Sequence, residues 1–309
     1  MRISFDAALF HWLESLTGAT LGKTVPAHRQ EYKRLFGDLD ENDRKYLADF
    51  TRVRVAHAEA PAPPLAYRGM NAMRERLFDG DEADPMTALA RELSAEDMAT
   101  LRKSLAWFAP KYARIWRDGE VPQAFLRTAR EDPARAQLDA LLVRLARFYG
   151  VPPDGAPRPR LLLVPVPGGW GTHAYALRRT LLLEIRKGDR LADQASVIVH
   201  ENAHFLFSRM PAPRQEALEA AARAASPGGG DAWELLHEAL PTALGQGVAD
   251  RAFSADWSTA LRWYHKPDVD RYAKALLPLV DRTLAEGGVL DAAFVARAVA
   301  AAPLTPRSP

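Results

Sequence analysis

Residues 161–185 carry the only convincing strand signal in this sequence and read Leu161-Leu-Leu-Val-Pro-Val-Pro-Gly-Gly-Trp-Gly-Thr-His-Ala-Tyr-Ala-Leu-Arg-Arg-Thr-Leu-Leu-Leu-Glu-Ile185. The apolar run 161–166 predicts a strand. Pro165 places that strand at a sheet edge or ends it early, because proline donates no ladder hydrogen bond. After the glycine-rich loop, residues 172–186 predict one or two further strands, which end in the apolar run 181–185.

The chain on both sides of this segment is typical of helices, because its apolar residues recur at spacings of three and four. Ser94 is a predicted helix start. The predicted helices span residues 5–16, 27–36, 41–59, 68–78, 86–92, 94–116 and 133–149 before the strands, and 191–208, 213–225, 231–244, 256–263, 268–286 and 291–301 after them. A small sheet among so many helices predicts a predominantly α-helical α+β fold.

The composition shifts at residues 151–160, which hold four prolines and one glycine. Such a stretch is typical of a linker between domains. We therefore predict a helical N-terminal region over 1–150, a Pro-rich linker over 151–160 and a second domain over 161–309.

Composition and charge exclude several classes of protein. The formal net charge of the 309 residues is +2, so no nucleic-acid partner is expected. Cysteine is absent, which excludes disulfides, thiolate metal sites and a cysteine nucleophile. No stretch approaches the roughly 18 consecutive apolar residues of a transmembrane helix. Asp6, His11 and Glu14 interrupt what would be the apolar core of a signal peptide.

The residues that carry chemistry are His200-Glu201-Asn202-Ala203-His204. On a helix, the two histidines lie one turn apart on the same face and can bind one zinc ion. Glu201 can then take a proton from a metal-bound water without binding the metal itself. The simpler alternative is a chance match on a core helix, with both histidines satisfied by neighbouring residues.

A zinc site of this kind needs a third protein ligand. Residues 205–210 lack the glycine and third histidine of the extended metzincin pattern, so a glutamate from another helix is expected. Glu234 and Glu238 both qualify. Asp231 and Glu234 together predict a capping box, which gives Glu234 a structural role. We favour Glu238, beside which Pro241 would kink or end the helix.

His237 is a further candidate for the third ligand, because imidazole binds zinc well. On a helix it is rotated by about 100° from Glu238, so the two residues are not expected to serve together. The predicted cofactor is one Zn²⁺ ion per chain.

Together, the two-histidine helix, the strands before it and the glutamate helix after it resemble a gluzincin-type zinc metallopeptidase. The resemblance covers about residues 160–285 and includes Glu238-Ala-Leu-Pro-Thr-Ala-Leu-Gly-Gln-Gly247, which matches a ligand helix of the form E-A-L-x-T-A-L-G-x-G. It implies a zincin-like domain with His200, His204 and Glu238 as zinc ligands. Thr242 stands where thermolysin-like members have an aspartate, so the groups that orient the ligands must differ.

The resemblance also implies a residue that stabilises the oxyanion, usually a tyrosine or histidine after the third ligand. Residues 262–272 offer Tyr264, His265 and Tyr272, of which we favour Tyr264; the alternative is a core aromatic. In zincins an edge strand binds extended peptide. Residues 172–178 are the candidate strand, and His173 is a candidate substrate contact.

These expectations predict a zinc-dependent metallopeptidase with a peptide or protein substrate. The alternative is a non-catalytic, zinc-stabilised binding or scaffold protein whose main contacts come from residues 1–150. Glu201 favours the enzyme, because a purely structural zinc site has no need of it. We favour an extracytoplasmic location with a leader removed over a cytoplasmic one, since the chain begins with folded-looking sequence and similar bacterial proteins are often secreted.

Overall fold

The computed structural model describes residues 1–18, 25–57, 72–79, 85–91, 93–151, 159–167, 173–177 and 179–303. They form many helices and one three-stranded sheet, which confirms the predominantly helical α+β fold. Among the helices in these ranges, none combines the length and apolar composition that crossing a membrane requires.

The chain divides into two compact units that alternate along the sequence. The first comprises Met1–Arg130 and Arg160–Asp189, and the second comprises Glu131–Pro159 and Arg190–Pro309. The sheet therefore belongs with the N-terminal helices, whereas the predicted division grouped it with everything after residue 160. Most of the predicted linker, residues 152–158, lies outside the described residues.

Helices make up most of the first unit. They are α1 (Phe5–Thr17), α2 (Val25–Phe36), α3 (Glu41–Ala56), α4 (Ala72–Asp79), α5 (Pro85–Ala90), α6 (Ala95–Trp116) and α7 (Glu120–Glu131), with a 3₁₀ turn at Arg117–Gly119. Ser94 caps α6 as predicted, since its side chain accepts a hydrogen bond from the backbone N–H of Asp97. Helix α7 was not predicted from the sequence. Its Pro122 lies in the first turn, where proline is compatible with a helix.

The sheet contains β1 (Arg160–Pro165), β2 (Ala174–Ala176) and β3 (Thr180–Ile185), with β3 in the middle. Strand β1 is parallel to β3 and β2 is antiparallel to it, so that Leu182 lies opposite both Leu162 and Tyr175. The strand predicted over 161–166 is present, and the region 172–186, predicted to hold one or two strands, contains two. Strand β1 is an outer strand that ends at Pro165, as the proline predicts.

Helix α1 is the central helix of the first unit. Its residues 7–16 are all buried, and Trp12 packs against the rings of Phe108 and Tyr112 in α6. A helix that is apolar on nearly every side belongs in a core. Its few polar side chains are consequently held in the interior, among them His11 and Glu14, both fully buried.

The second unit is helical in its described residues. It contains α8 (Ala134–Phe148), α9 (Leu191–Arg209), α10 (Ala212–Ala225), α11 (Gly229–Thr242), a π-helical segment (Ala243–Ala249), α12 (Asp250–Phe253), α13 (Pro267–Ala285) and α14 (Ala292–Ala300). Helix α8 packs against α9, which explains why it belongs to this unit although it precedes the strands.

The predicted helix over 256–263 is wrong, because residues 254–266 form an irregular segment. Side chains provide its hydrogen bonds. The indole of Trp257 donates to the carbonyl of Gln246 at 2.7 Å. A carboxylate oxygen of Asp270 accepts from the backbone N–H groups of Trp263 and Tyr264 at 2.6 and 3.1 Å. These bonds replace the backbone ladder of a helix.

The start and end of α11 also differ from prediction. The helix begins at Gly229 with Gly228 as its N-cap, so Asp231 already lies in the first turn and does not form the predicted capping box with Glu234. Pro241 does not end the helix either. The chain continues beyond it into the π-helical segment, whose wider turns suit the loss of one backbone donor.

Candidate metal centre

Helix α9 places His200 and His204 on one face. The helix is buried almost all round between Gln194 and Phe207, so both imidazoles lie inside the second unit. Their Nε2 atoms are 3.1 Å apart. This confirms the helical spacing predicted for the two histidines and aims both nitrogens at one point.

Glu238 of α11 lies beside these two nitrogens. Its Oε2 atom is 3.6 Å from Nε2 of His200 and 3.7 Å from Nε2 of His204. The three residues form a group of potential metal ligands. Its two histidines are buried, whereas 32% of the Glu238 side chain is exposed. The group is therefore open to solvent on the glutamate side.

The ligand distances fit a zinc ion. Bonds of about 2.0–2.1 Å in a tetrahedral arrangement place two ligand atoms roughly 3.4 Å apart. The three measured distances of 3.1, 3.6 and 3.7 Å lie on both sides of that value. Two imidazole nitrogens and one carboxylate oxygen are also a donor set that zinc accepts in catalytic sites. The residues present therefore fit this metal.

The two alternative third ligands lie elsewhere on α11. Glu234 is exposed. His237 packs edge-on between the rings of Phe207 and Trp233, with centroid distances of 4.9 and 4.8 Å. Burial, with a smaller contribution from the charge of His204, lowers the pKa of His237 to about 4. Its aromatic surroundings explain why it does not join the ligand group.

The charges around the group favour a cation. Burial alone would raise the pKa of Glu238, but hydrogen bonding to His200 and His204 outweighs it and holds that pKa well below its usual range. Burial likewise opposes a charged His200, yet its pKa is raised by the hydrogen bond to Glu238 and by the charges of Glu201 and Glu238. The charges of Glu201 and Glu238 would balance one divalent ion held by the neutral imidazoles.

The π-helical segment, which continues α11, packs closely against α9. Gly245 allows this approach, because an added β-carbon would lie 2.6 Å from the carbonyl oxygen of Ser196 and 3.0 Å from Cβ of His200. The next residue, Gln246, contributes to the raised pKa of His200. Both residues belong to the motif 238–247, but the sequence alone predicts no role for either of them. The signal that could have identified them is a glycine and a glutamine two turns after Glu238.

Glu201 and Tyr264 complete the surroundings of the group. Glu201 is buried on α9, next to His200 in sequence. The Tyr264 ring lies nearly parallel to that of His200, at 7° and with a centroid distance of 6.3 Å. Burial raises the pKa of Tyr264, as do the charge of Glu238, a hydrogen bond to Glu238 and the charge of Glu201. Glu201 and Tyr264, the predicted catalytic residues, therefore lie close enough to the ligand group for electrostatic effects on pKa: Glu201 raises the pKa of His200, and Glu238 raises the pKa of Tyr264.

The other candidates for the oxyanion residue differ from Tyr264. Tyr272 is fully buried, and its hydroxyl donates to the carbonyl of Ala298 at 2.9 Å. His265 is exposed and packs against Tyr264. Strand β2, the candidate peptide-binding edge, is an outer strand of the sheet in the first unit. Its predicted ends at Thr172 and Arg178 lie outside the described residues.

Comparison with known proteins gives no match. No protein-family model matches the chain, and neither a curated protein nor a solved structure is significantly similar to it. The resemblance to gluzincins thus rests on the residues quoted above.

Proposed function

We propose that this protein is a zinc-dependent hydrolase of the gluzincin type that cleaves peptide bonds. The observation that carries the proposal is the meeting of Nε2 of His200, Nε2 of His204 and Oε2 of Glu238 within 3.7 Å of one another. The choice of peptide bonds as the substrate rests on the resemblance of the two sequence motifs to gluzincins.

His200, His204 and Glu238 would hold the metal. Zinc in such a site supplies Lewis acidity, which lowers the pKa of coordinated water and polarises a carbonyl. The packing around the imidazoles fixes their orientation. Gly245 lets the π-helical segment approach α9, and Gln246 contributes to the raised pKa of His200. We therefore propose Gly245 and Gln246 for the ligand-positioning role that an aspartate has in thermolysin-like enzymes.

Glu201 is the proposed general base. In this role its carboxylate takes a proton from the attacking water and then delivers that proton to the nitrogen of the leaving amine. The residue is 8% exposed, and its charge reaches both His200 and Tyr264. A partly desolvated carboxylate at this position is suited to proton transfer, because water does not stabilise its charged form fully.

Tyr264 is the proposed oxyanion stabiliser. Its hydroxyl can donate a hydrogen bond to the oxygen that becomes negative when the carbonyl is attacked. The residue lies on the irregular segment 254–266 rather than inside a helix. Its pKa responds to Glu238, the ligand that is about one-third exposed, which supports a position beside the open part of the group.

The exposure of Glu238 favours an enzyme over a purely structural zinc protein. Structural zinc sites are closed by four protein ligands, whereas catalytic sites have three and leave one position open. Here three ligands are grouped, and the third is about one-third exposed. Glu201 adds a second carboxylate that a structural site does not require.

The test is peptide cleavage by the zinc-loaded full chain. Wild type, Glu201→Gln and the control Glu234→Gln are incubated with a peptide mixture, and the products are identified by mass spectrometry. We expect Glu201→Gln to retain zinc but lose at least about 100-fold in rate, while Glu234→Gln cleaves like wild type. Full activity in Glu201→Gln would refute the mechanism. A zinc-loaded wild type that cleaves no peptide would favour the scaffold alternative.

A further inference from the structure

A second group of potential metal ligands lies in the first unit. His11 of α1, His28 of α2 and Glu184 of β3 bring their ligand atoms within 4.8 Å of one another. Nε2 of His11 is 2.8 Å from Oε1 of Glu184. The three residues come from a helix, a second helix and the middle strand of the sheet, so each is held by a separate element of the core.

These side chains are more deeply buried than those of the first group. The exposed fractions of His11, His28 and Glu184 are 0%, 1% and 0%. Both ring nitrogens of His28 lack a hydrogen-bond partner among the described residues, as does Nδ1 of His11. An unsatisfied buried polar group is destabilising, so an ion bound by these nitrogens and the carboxylate would remove that penalty.

We propose that His11, His28 and Glu184 form a second metal site, which takes a zinc-like divalent transition-metal ion and stabilises the first unit. Nitrogen and carboxylate oxygen donors suit such ions. The site is independent of the proposed hydrolase activity, because none of its residues belongs to the unit that holds His200, His204 and Glu238.

A neighbouring buried carboxylate shows how this core neutralises charge without a metal. Oε1 of Glu14 lies 2.5 Å from Nε of Arg54, and its Oε2 lies 2.9 Å from Nε of Arg74. Two guanidinium groups thus face Glu14. Glu184 lies next to two imidazoles, since its Oε1 atom is 2.8 Å from Nε2 of His11 and the ligand atoms of Glu184 and His28 lie within 4.8 Å of each other.

Metal binding would require only a small contraction of this group. Ligand atoms around a zinc ion lie roughly 3.4 Å apart, and the present separations are at most 4.8 Å. The largest change needed is therefore about 1.4 Å. Because the three side chains are at most 1% exposed, we assign the site a stabilising rather than a catalytic role, in which a buried water would complete the four-coordinate shell of the ion.

The decisive experiment removes the first site and counts the remaining metal. The full-length His200→Asn/His204→Asn double variant is loaded with excess zinc, desalted and analysed for zinc by elemental analysis. We expect about one equivalent per chain, and about two in wild type. Addition of His28→Gln, or of Glu184→Gln if the former does not fold, should remove the remaining equivalent. The control His57→Gln, which changes a half-buried histidine of the same unit, should leave it in place.

The result also separates this site from the proposed function. A double variant without zinc would overturn the second site while leaving the first intact. Zinc that persists in the double variant and is not removed by His28→Gln or Glu184→Gln would overturn it as well. If wild type and the double variant each hold one equivalent, the metal lies at the second site and the proposed hydrolase fails instead. A melting temperature of the double variant that falls on addition of a chelator would support the structural role.

Discussion

Gly245 lies so close to His200 that a β-carbon added to the glycine would be 3.0 Å from Cβ of the histidine. The same carbon would be 2.6 Å from the backbone oxygen of Ser196, which cannot move without moving α9. The glycine therefore sets how closely the π-helical segment packs against the helix that carries the candidate ligands.

Gly245→Ala should consequently lower both stability and zinc affinity. We expect a loss of about 1–3 kcal/mol in the free energy of unfolding, typical of overpacking, measured by chemical denaturation. The control is Gly230→Ala in α11, where the added carbon would meet only the flexible end of the Arg223 side chain at 3.0 Å. Equal stability of the two variants would show that the close approach of Gly245 to α9 is not needed.

Glu238→Ala should weaken zinc binding by at least about 100-fold, because even the loss of a group that merely orients a ligand costs about 10–100-fold. Competition with a chromophoric chelator measures the affinity. Glu234→Ala is the matched control, since it removes an exposed glutamate one turn earlier on the same helix. If Glu234→Ala weakens binding and Glu238→Ala does not, the third ligand has been assigned to the wrong glutamate.

Tyr264→Phe should reduce kcat by up to about 100–1,000-fold, with little change in KM and zinc content, because the hydroxyl acts on the developing oxyanion. Steady-state kinetics on a cleaved peptide provide the comparison. Tyr272→Phe removes a hydroxyl that donates to the carbonyl of Ala298. That variant should lose about 1 kcal/mol of stability and keep its kcat. A Tyr264→Phe enzyme with unchanged kcat would make Tyr264 a packing residue.

Asp43 should make the first unit sensitive to acid. Burial would raise its pKa, but hydrogen bonds from Lys111, Tyr32 and Trp107 outweigh burial and lower it. A carboxyl group with a lowered folded-state pKa contributes its full stability above its ordinary pKa of about 3.9, and loses that contribution as the pH falls through the folded-state value.

Asp43→Asn should therefore be less stable than wild type at pH 7, by about 1–3 kcal/mol, and the difference should shrink as the pH falls below about 4. Denaturation curves at several pH values measure this. Asp49→Asn, which removes the partner of Lys45 in an exposed ion pair, should change stability by less than about 0.5 kcal/mol at every pH. A difference for Asp43→Asn that grows towards low pH would contradict the assigned direction of the pKa shift.

Local sequence patterns were sufficient for the strands, for most helices and for the grouping of His200, His204 and Glu238. The histidines lie four residues apart on one helix, so their proximity follows from helix geometry alone. Glu238 was favoured over Glu234 partly on the ligand-helix pattern, and the structure brings Glu238 to both imidazoles. Its role as a ligand remains a prediction.

Features that depend on distant contacts were not predictable from such patterns. The sheet joins the N-terminal helices because β1 packs with α1 and pairs with β3, and no local signal encodes that choice. His11 and Glu184 are 173 positions apart, so no local sequence motif predicts their contact. The segment 256–263 has helix-like composition, but the hydrogen bonds of Asp270 and of two indoles hold it in an irregular conformation.

We propose that one metal ion is bound by His200, His204 and Glu238. Anomalous diffraction at the zinc absorption edge, from crystals of the full chain grown with zinc, tests it most directly. We predict a strong anomalous peak within bonding distance of both Nε2 atoms and of a Glu238 carboxylate oxygen. Zinc-saturated crystals in which that position has no peak, or in which Glu234 or His237 replaces Glu238 as the ligand, would refute the proposed metal centre.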